Sequence, residues 1–183
     1  MKRLVAAAGL LLLTACSTAK YQMNPDGSRP FLYPEARVKS WQIVDGAYQS
    51  SSDNVRIYID PTAEFDKDVQ LGNGVRIGAH AYIDEDVMLF PNVTVGDDSR
   101  VGGDAIVQSG VKIGKKVTIR GDSKIGADSV IGDGATIGKW AIIGQRVSIG
   151  AGATIGVGAT LDNDAIVAAS RVVSAQEHVT AAK

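Results

Sequence analysis

The sequence predicts an all-β fold, a solenoid of very short strands wound into three-sided coils, and three observations predict it. First, from Ile57 the chain parses without a gap into twenty six-residue units, IYIDPT, AEFDKD, VQLGNG, VRIGAH and onward to RVVSAQ, which ends at Gln176. All twenty third positions, from Ile59 to Val173, are Ile, Leu, Val or Phe, a regularity that chance does not produce. Second, the first position is mostly Val, Ala or Ser, so first and third residues share one face of a strand while the second points away. Third, eleven of the twenty fourth positions are Gly, in a chain with 21 glycines among 183 residues and only 5% aromatics.

The units explain the elements in order. A short strand carries its large aliphatic inward, then bends where Gly, Asn or Asp tolerates positive φ. Three strands and three bends close a coil of eighteen residues. Coils stack in parallel at about 4.8 Å, so the repeat gives about six to seven coils and a prism roughly 30 Å tall. Reading every eighteenth residue gives the core ladders. One edge stacks Ile59, Ile77, Val95, Ile113, Ile131, Ile149 and Val167. The next stacks Phe65, Ile83, Val101, Ile119, Ile137, Ile155 and Val173, and the third Leu71, Leu89, Val107, Ile125, Ile143 and Leu161.

These units resemble the hexapeptide repeat of the left-handed parallel β-helix, over residues 57–176. The resemblance implies a left-handed solenoid. It also implies a range of functions, because similar proteins include acyltransferases, acetyltransferases, γ-class carbonic anhydrases and proteins without a known reaction, many of them trimers. A fold shared so widely does not choose among them.

The N-terminal residues read as an address. MKRLVAAAGLLLLTACSTAK has cations at Lys2 and Arg3, an apolar run from Leu4 to Leu13, and small residues before Cys16, the one cysteine. That is the pattern of a secretory signal, too short for a transmembrane span. Leu13-Thr14-Ala15-Cys16 resembles the lipobox of bacterial lipoproteins, which implies acylation of Cys16 and a mature chain beginning there. Ser17 follows where an aspartate would direct retention at the inner membrane, so the expected location is the outer membrane, facing the periplasm or the cell surface. Residues 1–15 are then a lipoprotein signal peptide, and 16–35 a lipidated N-terminus and flexible tether rich in turn formers. Residues 36–56 read as a partial first coil and a loop over 45–56, and residues 177–183 as a C-terminal tail.

A formal net charge of −1 supplies no basic footprint and excludes nucleic acid as a partner. The chain has two histidines, short of the three that a γ-class carbonic anhydrase zinc site needs. An acyltransferase needs a general base, and His80 is the candidate, at a corner beside Asp60, Asp97 and Asp98. Against this, no loop interrupts the repeat, and acyl-CoA donors are absent from the periplasm. Asp68, Asp86, Asp104 and Asp122 recur at eighteen-residue spacing, with Asp66, Asp84 and Glu85 nearby and Lys67 and Arg120 as partial neutralisers. Such a column either binds Ca²⁺ or supplies bend residues facing water. Thr118, Thr136 and Thr154 form one outward column, but Arg120, Gly138 and Gly156 stand where an ice-binding face would need a second. Met88, Ile106 and Ile142 point outward on one face and form a candidate trimer interface. The expectation is a lipid-anchored, β-helical envelope protein with a structural or binding role and no cofactor, whose partners are the membrane, further copies of itself, or an envelope protein or glycan. The alternative is a hexapeptide-repeat acyltransferase using His80.

Overall fold

The computed structural model describes residues 57–66 and 68–181, together with the backbone of three earlier strands, Leu4–Val5, Trp41–Val44 and Ala47–Ser50. Cys16, the tether, residues 45–46 and 51–56, and Lys67 lie outside the described residues. The described body is a parallel β-solenoid of seven coils, each with three two-residue strands. Face one runs from Tyr58–Ile59 to Ile166–Val167, face two from Glu64–Phe65 to Val172–Val173, and face three from Gln70–Leu71 to His178–Val179. Tyr58 lies opposite Arg76, Glu64 opposite Tyr82 and Gln70 opposite Met88, so the register is the eighteen residues read from the sequence. No helix among the described residues is long and apolar enough to cross a membrane.

The three predicted ladders form the core. Their members are buried throughout, except Phe65, which packs against the cluster only partly buried. First-position side chains fill the space between ladders, and most are Val or Ala with no exposed surface. Serine is accepted there because its hydroxyl finds a backbone partner, within the coil at Ser123 and between coils at Ser99 and Ser129. Ser99 Oγ donates to the Gly114 carbonyl at 2.8 Å and accepts from the Val117 amide at 3.0 Å. Ser129 repeats the arrangement with Gly144 and Val147. A buried hydroxyl with both roles filled avoids the desolvation cost of an orphan.

The bends correct one expectation. Positive φ falls at the sixth position of every unit after the first, not the fourth: Asp68, His80, Asp104, Trp140 and Gly152 all lie between 53° and 67°. The fourth-position glycines serve close approach instead. A Cβ on Gly150 would stand 2.4 Å from the Ala169 amide nitrogen, and one on Gly156 the same distance from that of Ala175. The requirement is set corner by corner, since Phe90, Gln108 and Arg120 occupy the same position elsewhere in the stack.

Two boundaries also move. The strand His178–Val179 pairs in parallel with Thr160–Leu161, and Val179 is buried, so the residues read as a tail make a further unit that completes the third ladder. The sequence EHV hides that unit, because a glutamate stands where a small residue is expected. At the other end, Trp41–Val44 and Ala47–Ser50 form an antiparallel hairpin, and Tyr48 pairs antiparallel with Ile59. A coil would pair in parallel, so these strands extend face one as a hairpin. The signal was Asp45-Gly46 between the two runs, a dipeptide favoured in two-residue hairpins.

Candidate functional site

The corner between faces one and two carries His80. Its φ of 53° belongs to the bend, its amide donates to Thr62 Oγ1 at 2.9 Å, and that hydroxyl donates to Asp60 Oδ1 at 2.6 Å. The imidazole is exposed, and among the described residues it meets no hydrogen-bond partner. Asp97, an acid at the same corner of the next coil, is committed elsewhere. It pairs with Lys115 Nζ at 2.9 Å and accepts from the Ala79 amide at 3.1 Å. The Lys115 hydrogen bond, then the Ala79 amide, hold its carboxyl below the usual range, and the same pairing raises Lys115. An acid already neutralised by a lysine is poorly placed to orient an imidazole.

The corner between faces two and three carries the acidic column. Asp68, Asp86, Asp104 and Asp122 have φ of 56° to 58°, so each fills a left-handed bend that aspartate tolerates. Lys67 lies outside the described residues, and among those described Arg100 reaches Asp84 at 3.2 Å and Lys139 reaches Asp122 at 3.3 Å. Among the described residues, no group of three His, Cys, Asp or Glu side chains is placed to hold a metal ion. Trp140 sits at this corner with φ 59° and 56% exposure, an uncommon backbone state for a bulky residue. Lys139 Nζ lies 4.5 Å from its ring centroid.

Face three brings Met88, Ile106 and Ile142 into one column, with Lys124 between the last two. Met88 and Ile106 are half-buried, and Ile142 is 50% exposed. Beside them a shallow groove of about 410 Å³ is lined by Ile106, Gln108, Lys124, Ile142, Gln145 and Asn163. An apolar floor with polar edges is a surface suited to burial against another molecule. At the C-terminal end of the same face, His178 Nε2 lies 2.7 Å from Asp162 Oδ1. This His–carboxylate contact was not legible in the sequence, because His178 falls beyond the last unit recognised there and the pair is separated by sixteen residues.

The bacterial transferase hexapeptide family (six repeats) matches residues 104–139 and 122–163. A hexapeptide transferase family protein from Anaplasma phagocytophilum is similar over 70% of this chain and 75% of its own, at 22% identity and a TM-score of 0.56. UDP-N-acetylglucosamine acyltransferase from Francisella novicida aligns over 62% of this chain and 55% of its own, at 15% identity and a TM-score of 0.47. PerB from Caulobacter crescentus, solved with CoA and GDP-perosamine, aligns over 69% and 54%, at 22% identity and a TM-score of 0.38. The chain thus spans a little over half the length of these last two proteins. No curated protein matches the chain. Repeat and architecture agree: the chain is a hexapeptide-repeat protein built as a parallel β-solenoid, and residues 104–163 carry the repeat of the bacterial transferase hexapeptide family.

Proposed function

We propose that this protein is a lipid-anchored element of the bacterial envelope, held at the outer membrane through Cys16, whose solenoid presents face three as an assembly and binding surface. The observation that carries the reading is the column of Met88, Ile106 and Ile142 bordering the 410 Å³ groove. The occupant is a second copy of the chain, packed around a three-fold axis so that each groove is closed by a neighbour. Burying the exposed half of Ile142 contributes roughly 1 kcal/mol per contact, and a trimer repeats it three times. Sedimentation velocity on the purified full chain at micromolar concentration is the test. The wild type runs at three times the chain mass and Ile142→Asp at the chain mass. A monomeric wild type defeats the assembly reading.

A second reading, acyl transfer to a hydroxyl or amine, is favoured by the His178–Asp162 contact. A carboxylate that fixes one ring nitrogen leaves the other free to accept the proton of an acceptor attacking an acyl carbonyl. On this reading His178 is better oriented than His80, whose ring has no carboxylate partner among the described residues. Asp162 on Nε2 leaves Nδ1 as the proton-accepting atom. Parallel assays of His178→Ala and His80→Ala with candidate acyl donors separate the roles: loss of transfer in His178→Ala alone supports it, and equal rates in both variants and the wild type remove it.

A further inference from the structure

The terminal coil departs from the repeat at the positions that face the axis. Along the described stack, first positions hold Val, Ala, Ile or Ser until the last two units, where Arg171 and Glu177 take their place. The two side chains meet. Arg171 Nη2 lies 3.2 Å from Glu177 Oε1, and Glu177 Oε2 accepts the Ser174 amide at 2.7 Å. Beneath this pair the last apolar layer is closed, with Val173 fully buried and Val167 at 1%.

A second departure coincides with the first. At the three preceding corners Gly144, Gly150 and Gly156 let the next coil approach so closely that a Cβ would fall 2.4 to 2.5 Å from its backbone nitrogens. At the terminal corners the equivalent residues are Asp162, Ala168 and Ser174. Phe90, Gln108 and Arg120 also carry a Cβ at this position with a coil above them, so the change marks the end of the close-approach corners and the barrier itself rests on the charged pair.

Every coil below is joined to its successor by amides donating upward, as Ser148 does to the Ala165 carbonyl and Thr154 to that of Arg171. Among the described residues no coil lies above the one that ends at Val179, so its upper edge is a template for a further parallel coil, the hazard that any open sheet edge presents. Solenoids meet it with terminal repeats that are polar on the outer side. We infer that Arg171 and Glu177 form an end cap that prevents the solenoid from accepting the coil of a second copy. A coil laid on this end would have to bury both charges away from water, and the pair's mutual attraction does not offset that cost in an apolar stack.

The test restores the repeat. In Arg171→Val/Glu177→Val both positions carry the residue common in earlier units, and Arg171→Ala/Glu177→Ala is the smaller equivalent. Multi-angle light scattering on the purified full chain at about 50–500 μM reads the mass relative to wild type, and far-UV circular dichroism reads folding. The expected result is at least a two-fold increase in mass with an unchanged β spectrum, absent in the wild type. The charge-swapped Arg171→Glu/Glu177→Arg keeps the pair and is expected to keep the wild-type mass. Unchanged mass in a folded Val or Ala variant overturns the inference, and so does association of the swapped protein. Unfolding of both the Val and Ala variants overturns it as well, because the pair would then be a stability element and not a barrier. Lateral assembly through face three is read separately by Ile142→Asp, which leaves this end untouched.

Discussion

Replacing Gly150 by Ala tests the way the coils are stacked. Gly150 follows the strand Ser148–Ile149, and the added Cβ would lie 2.4 Å from the Ala169 nitrogen and 2.7 Å from its Cα. Both are backbone atoms of the next coil, so no side-chain rotation relieves the overlap and the coils must part locally. Overpacking of this kind costs about 1–3 kcal/mol. At about 2–4 °C per kcal/mol for a chain of this size, Tm falls by about 2–12 °C. Gly152→Asn is the control. Gly152 has φ 67° and its nearest neighbour, Ser170 Oγ, is 3.5 Å from a built Cβ, while Asn92 already adopts φ 62° in the same place of an earlier unit. Asparagine enters the left-handed region readily, so the cost there stays below about 1 kcal/mol. Urea unfolding of the full chain, followed by far-UV circular dichroism, compares the two at equal m-value. If Gly150→Ala is as stable as the wild type, or if Gly152→Asn is the more damaging change, the assignment of close approach to the fourth position and of positive φ to the sixth is wrong.

Three further outcomes are expected. Asp97→Asn is less stable than the wild type at pH 7, because it loses the charge paired with Lys115. The folded carboxyl is lowered from 3.8, so the stability it contributes is present above 3.8 and is lost as pH falls through the lower folded value. The gap between variant and wild type should narrow as pH falls below 3.8 and close once the folded carboxyl is protonated, and a gap that stays constant through that fall in urea titrations refutes the pairing as its source. Millimolar calcium should leave the melting temperature unchanged, since Asp68, Asp86, Asp104 and Asp122 answer to the bend conformation; a rise of several degrees that Asp104→Asn abolishes would restore the cation reading. Cys16→Ser should abolish incorporation of labelled palmitate and deplete the protein from the outer-membrane fraction, and labelling equal to wild type would remove the lipid anchor.

Most of the fold was legible because its information is local. A third-position aliphatic in every unit sets strand, inward face and ladder at once, and the eighteen-residue spacing gives the pairing register without any knowledge of distant contacts. The readings that failed did so where local pattern and physical role come apart. Glycine at the fourth position looked like a φ requirement and is a packing requirement, which only the distance from Gly150 to Ala169 reveals. Glu177 broke the small-residue pattern and so concealed a true strand, because in the last described coil that position pairs with Arg171 and the Ser174 amide and not with an apolar neighbour.

The candidate site was less legible for the same reason. Sequence alone determined that a histidine and several acids share corners, since corner positions follow from the repeat. Which of them touch was decided by side-chain reach between coils sixteen to eighteen residues apart: Asp97 turns to Lys115 and not to His80, Arg100 and not Arg120 answers the acids of the second corner, and Asp162 meets His178. The repeat thus determined the scaffold by itself, because backbone pairing and burial depend on residue type at fixed spacing. Only the tertiary structure decided the contacts on its surface, because flexible charged side chains choose among several neighbours that the spacing makes equally near.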